Sequence, residues 1–159
     1  MLGLFVYSIG SISGCHINPA VTLGLWSVTK ISTYDATQYI IGQCLGALAA
    51  FGIVYLTIGG VALGLAPENG TTFLAELIGT AVFTFGIASI VYSKDNKSFS
   101  GLVIGGSLLL GITLAVALGS SGILNPAVGL ALGSTSLSYI MGAVFGSIIG
   151  MQTYRALTI

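Results

Sequence analysis

Six residues in this chain carry chemistry that core packing does not ask for. They form two Asn-Pro-Ala copies, Asn18-Pro19-Ala20 and Asn125-Pro126-Ala127. Asparagine is a strong helix N-cap, because its side-chain oxygen accepts an otherwise unpaired N–H of the first turn. Proline suits the first helical position, where its missing N–H costs no hydrogen bond. Each copy therefore reads as the sharp start of a helix. A helix N-terminus carries roughly half a positive charge. Two such ends facing one another would repel cations and hydronium. They would attract neutral molecules with oxygen lone pairs, to which the amides of Asn18 and Asn125 can donate. Gly14, Cys15 and His16 precede the first copy; Ser121, Gly122 and Ile123 precede the second. In extended backbone their carbonyls form a ladder of acceptors. A polar solute can trade its water shell for such a ladder across a low barrier.

Glu76 is the one carboxylate inside an apolar stretch. An ionisable group at that depth marks function by default. Bracing a loop, facing water at a helix end and moving a proton are all open to it, although a proton relay needs titratable partners that the apolar stretches lack. His16 either braces its loop or titrates as a gate. Cys15 and His16 are adjacent with no second ligand pair nearby, so neither a metal site nor a cofactor is expected. Cys15 and Cys44 read as small apolar residues rather than a disulfide. The sequence shows no Ser-His-Asp set, carboxylate pair or phosphate loop, which argues against an enzyme.

The remainder of the chain must position these groups. It has 159 residues, with Lys+Arg 4, Asp+Glu 4 and 5% charged, against roughly 25% in a soluble domain. Hydrophobic residues make up 55%, and the mean hydropathy is +1.04. A soluble surface needs more charge, and disorder needs less hydrophobicity. Four unclustered cations cannot neutralise a nucleic-acid phosphate track. The class that remains is an all-α integral membrane protein, with the lipid bilayer as its partner. The 24 glycines fit that class, since glycine lets helices approach closely in lipid.

A span needs about 20 apolar residues. Candidate spans fall at 37–59, 73–92, 101–118 and 136–156. Residues 1–13 are apolar but reach only about 20 Å at 1.5 Å per residue; without a basic start they do not read as a signal peptide. The segments 14–30 and 119–135 are too short and too broken to cross, yet too apolar for ordinary loops. They hold the two motifs. Helices over 19–27 and 126–133 would run about 13 and 12 Å, near half a bilayer each.

The chain also repeats. Asn125 stands 107 positions after Asn18, and Tyr39-Ile40-Ile41-Gly42 and Gly46 return 100 positions later as Tyr139-Ile140-Met141-Gly142 and Gly146. Three spans separate the copies, so the motifs enter from opposite faces. This is an inverted-topology repeat, which puts a substrate path at the repeat interface near the midplane. Lys30, Lys94, Lys97 and Arg155 then share one face, which the positive-inside rule makes cytoplasmic together with the C-terminus. The sequon Asn69-Gly70-Thr71 falls outside. Trp26 and Tyr34 fit an interfacial belt. Gly42/Gly46 and Gly142/Gly146/Gly150 form small-residue faces suited to close helix packing in both repeats.

These features resemble the aquaporin family, the major intrinsic proteins. SGCHINPAVTLGLW (13–26) and GILNPAVGLALG (122–133) look like its two signature loops. FLAELIGTAVFTF (73–85) resembles the opening helix of its second repeat, and YIIGQCLGA (39–47) its third helix. The resemblance implies six helices and two half-helices meeting at the midplane, one pore per protomer, a homotetramer in the cell membrane, and passive flow of water or small neutral solutes such as glycerol, urea or ammonia. It implies that Glu76 and Gln43 brace the loops. On this alignment five of the six helices are present, the first missing and the second shortened. Residues 1–60 form an incomplete first repeat, 61–72 an extracellular loop, and 73–159 a complete second repeat. The missing part would hold a buried carboxylate and one filter residue. The other filter positions fall on Thr113, Gly122 and Val128. The family normally has Arg at the last of these, and Gly129 stands where glycerol channels often carry Asp. Thr, Gly and Val would make a wider, less polar constriction with no fixed cation. The alternative expectation is a non-conducting or truncated relative.

Overall fold

The computed structural model describes residues 1–59, 67–93 and 96–158. Lys94 and residues 61–66 of the expected loop lie outside them. The helices are α1 (Leu2–Ser13), α2 (Pro19–Ser27), α3 (Thr33–Ile58), α4 (Gly70–Tyr92), α5 (Ser100–Ala117), α6 (Pro126–Ala131) and α7 (Leu137–Thr158), with one 3₁₀ turn at Asn96–Phe99. The described residues contain no strand.

Local chemistry sets the boundaries. Ser32 caps α3 by accepting the Asp35 N–H and donates back to the Asp35 carboxylate. That reciprocal cap starts the helix at Thr33, four residues before the expected span. Asn69 caps α4 through Thr72 N–H at 2.8 Å. Asn18 and Asn125 cap α2 and α6 with proline at N1. The half-helix α6 ends at Ala131 rather than near 133, because the chain turns through Gly133 at φ +78°.

α3, α4 and the Lys97–Ala117 stretch are long and apolar enough to cross a membrane. α7, with 22 residues, spans about 33 Å, but it is more polar. Its Tyr139, Gly142, Gly146, Ser147 and Gly150 are buried against the rest of the protein, so that face need not suit lipid. α4 lies at the centre. A Cβ at Gly142 would stand 2.7 Å from the Phe73 carbonyl oxygen, and one at Gly146 would strike the Leu77 carbonyl. Gly79 and Gly111 bring α4 and α5 together in the same way. Val21 and Leu25 of α2, Phe83 and Ile87 of α4, and Met151 of α7 form one core cluster.

The packing is uneven. In its most apolar window α4 is 50% buried, whereas α3 is 6% buried. Among the described residues a Cβ at Gly42 or Gly46 would meet nothing within 4 Å, so the close packing expected at both small-residue faces is seen only in the second repeat. Gly146→Leu is therefore expected to destabilise the protein by about 1–3 kcal/mol or more, since backbone cannot move aside. Gly46→Leu should leave stability unchanged. Thermal unfolding in detergent checks both.

Candidate functional site: two crossed asparagine loops

The loops between α1 and α2 and between α5 and α6 meet inside the protein, and each holds the other. Asn18 Nδ2 donates to the Leu124 carbonyl at 2.8 Å. Asn125 Nδ2 donates to the Ile17 carbonyl at 3.0 Å. Each asparagine Oδ1 meanwhile caps its own half-helix, at Ala20 N–H (2.9 Å) and Ala127 N–H (3.0 Å). An amide nitrogen has two N–H donors, so the crossed bond uses one and leaves one on each asparagine. Ile17 and Leu124 sit in left-handed backbone at φ 38° and 51°. Non-glycine residues hold such conformations only where surrounding bonds enforce them.

Glu76 enforces the second loop. Its carboxylate accepts the N–H groups of Ile123 (2.9 Å) and Leu124 (2.6 Å) and the Ser120 hydroxyl. Gly122 N–H donates to Ser120 Oγ at 3.2 Å. Glu76 is wholly buried, and these bonds tie α4 to the second loop. In the first loop, Tyr39 donates to the Ser13 carbonyl at 2.6 Å and stacks on His16. Gln43 Nε2 donates to Thr22 Oγ1 at 3.0 Å. Thr22 spends its one hydroxyl proton on the Asn18 carbonyl. It must therefore accept from His16 Nδ1, 3.3 Å away, which puts a proton on Nδ1. Sequence alone left His16 between bracing and gating; its ring is braced, and it also faces a cavity.

Two cavities lie along these loops. One, of about 300 Å³, has Asn18, Asn125, Gly122, Ile123 and Val128 in its wall. The other, of about 590 Å³, is lined by Gly14, Cys15, Lys30 and Lys97. Leu2, His16 and Phe83 belong to both walls. Ser121 lines neither; its hydroxyl accepts from Tyr139 at 3.1 Å. Opposite the polar groups, α5 presents Ser100 and Ile104 to the larger cavity and Leu108 and Ile112 to the smaller. Sequence reasoning missed this stripe. It has the i, i+4 spacing of a helix face, but in a helix that is apolar all round no contrast marks it.

Thr113 is not in either wall. It is exposed, and its hydroxyl donates back to the Leu109 carbonyl at 2.9 Å. Gly111 and Ala115 are buried, and Gly111 packs against Gly79 of α4. That contact fixes the rotation of α5 and turns Ile112, rather than its neighbour, toward Gly122 and Val128. A Cβ at Gly122 would lie 3.1 Å from Ile112 Cγ2. Both cysteines are free, and among the described residues no three His, Cys, Asp or Glu side chains gather at one point.

The family model described as Major intrinsic protein matches residues 1–154. The chain belongs to the major intrinsic protein family. Aquaporin AqpM of Methanothermobacter thermautotrophicus is 37% identical over 177 aligned positions, taking in 96% of this chain and 71% of the relative. Aquaporin Z of Rhodopseudomonas palustris is 32% identical over 178 positions, 96% of this chain and 73% of the relative. As a major intrinsic protein, the chain is a multi-pass membrane channel for water or small solutes and not an enzyme.

Proposed function

We propose that this chain conducts small neutral solutes, including glycerol-like polyols, urea and ammonia as well as water, past the crossed asparagines. The observation that carries this reading is the pair of amides. Asn18 and Asn125 are locked by reciprocal bonds, and each keeps one N–H for a passing oxygen. The cap bonds place both at half-helix N-termini, whose partial positive charge disfavours cations. The facing wall of Leu108 and Ile112 suits the carbon edge of a polyol. Val128 puts no fixed cation beside Gly122, which supports a solute range wider than water.

The proposed setting is a homotetramer in the cell membrane with the C-terminus in the cytoplasm. The sidedness draws support from Lys30. Its ammonium lies 4.2 Å over the Tyr92 ring, Tyr92 contacts Tyr154 beside Arg155, and Lys97 lines the same cavity as Lys30. These cations gather at one end of the protein.

Swelling of proteoliposomes in water and in glycerol gradients tests the reading. Rates above those of empty vesicles for both solutes are expected. Rates equal to empty vesicles for every solute tried would sink it in favour of a non-conducting relative.

A further inference from the structure

The larger cavity, of about 590 Å³, carries charge that the passage of neutral solutes does not call for. Lys30 and Lys97 both line it, together with Ser11 and Ser100. No Asp or Glu stands among the described residues of its wall, and neither lysine forms an ion pair among the described residues. The Lys30 ammonium rests instead 4.2 Å over the Tyr92 ring, a contact that holds a cation without cancelling its charge. The hydroxyls of Ser11 and Ser100 donate to no described group.

Fixed backbone delivers both lysines to this place, in one case at a cost. The half-helix α2 ends in a Schellman turn. The Lys30 backbone N–H donates to the Leu25 carbonyl and the Thr29 N–H to the Trp26 carbonyl, each at 2.9 Å. Such a turn needs a left-handed residue, which is ordinarily glycine. Here it is Thr29, at φ 60°, and a β-branched residue is rare in that region. Outliers of this kind gather where function holds them. Lys97 stands in the 3₁₀ turn before α5. The Tyr7 hydroxyl donates to the Ser98 carbonyl at 3.2 Å and accepts the Leu102 N–H at 3.3 Å, which ties that turn to α1. A cleft lined by one sign of charge concentrates ions of the other.

We propose that this cavity binds a phosphate group, held by the ammonium groups of Lys30 and Lys97 with the Ser100 hydroxyl as a further donor. Each ammonium is a compact charge with three N–H donors, which suits a tetrahedral oxyanion. Leu2, His16 and Phe83 lie between this cavity and the smaller one, as part of both walls. A neutral solute can pass them. A dianion cannot, because shedding its water against Leu2 and Phe83 is too costly. The bound phosphate therefore stands in the mouth of the path and slows flux, a consequence that rests on the channel reading above. Free phosphate and the headgroup of a phosphomonoester lipid present the same chemistry.

The test uses the whole chain in dodecyl maltoside micelles, which contain no phosphorus. The probe is inorganic phosphate, followed by phosphorus NMR line broadening at constant ionic strength. Saturable broadening is expected. Half-saturation should rise by about tenfold or more for Lys97→Gln and return for Lys97→Arg. The Lys97 side chain holds no bond within the described residues, so its unfolding temperature should not move. Broadening that grows linearly with phosphate, or that ignores Lys97→Gln, would reduce the effect to loose counter-ions and overturn the proposal. Phosphatidic acid is then added to the micelles. If it abolishes the broadening, the phosphate site belongs to the lipid headgroup; if the broadening persists, the site belongs to the soluble ion. Swelling of phosphatidylcholine vesicles in a sucrose gradient follows, with phosphate or chloride on both sides at equal ionic strength. Flux at about 10 mM phosphate should be lower than in chloride by about twofold or more. The ratio should return to one for the double variant Lys30→Gln/Lys97→Gln. Binding with no flux in either salt counts against the channel reading alone. Equal flux in both salts despite binding overturns the position in the mouth, and flux without binding overturns the phosphate site alone.

Discussion

Glu76→Ala is expected to bring solute flux down to the level of empty vesicles and to destabilise the protein by about 3 kcal/mol or more. The side chain is wholly buried and holds three donors. Removing it leaves the Ile123 and Leu124 N–H groups without acceptors, at about 1–3 kcal/mol for each orphaned buried group. The loss falls where it matters most for conduction. Leu124 is held at φ 51°, and its carbonyl is the acceptor that orients the Asn18 amide. Once Leu124 relaxes, both asparagines lose their alignment. Glu76→Gln sharpens the test, because it keeps the volume and one acceptor oxygen while turning an NH₂ group toward an N–H donor. Its stability should fall between those of wild type and the alanine variant. Thermal unfolding and stopped-flow swelling on the same preparations would show it. Full flux through Glu76→Ala would refute the bracing role.

Val128→Arg is expected to change which solutes pass. Val128 stands three residues after Asn125, is 41% exposed, and shares the smaller cavity with Gly122 and Ile112. Arginine would add several heavy atoms and five fixed donors at that point. In a cavity of about 300 Å³, that narrows the opening and favours a solute with the most lone pairs for its size. Glycerol flux should fall by about tenfold, a barrier increase of about 1.4 kcal/mol, while water flux falls by less than about threefold. The measured quantity is the ratio of the two rates in paired swelling assays. If the ratio stays put, the constriction lies elsewhere, and Leu108 and Ile112 become the residues to substitute next.

Local chemistry explains what could be read in advance. α2 and α6 begin at Pro19 and Pro126, as expected, because a cap depends only on the residues that make it. The spans were visible because bilayer thickness demands long apolar runs. Their ends were less so. α3 starts at Thr33 because Ser32 and Asp35 cap each other, a signal that a hydropathy count passes over. The partners of Glu76 could not be read locally, since nothing around it in sequence points to donors 44, 47 and 48 positions away. Thr113 was placed by counting along the family's register, which cannot report the rotation of a helix. That rotation is set by Gly79 against Gly111.

The sequence by itself therefore determined a membrane-spanning, inverted-repeat protein with two proline-started half-helices. Those properties are local or periodic: a cap, a run length, a repeat. Only the tertiary structure decided that Asn18 and Asn125 hold one another's loops, that Ile112 faces Val128, and that Gly142 and Gly146 are covered while Gly42 and Gly46 are open. These depend on which backbones come within hydrogen-bonding or van der Waals reach across a hundred residues of chain. In helices that are apolar all round, hydrophobicity does not distinguish the face that meets lipid from the face that meets protein.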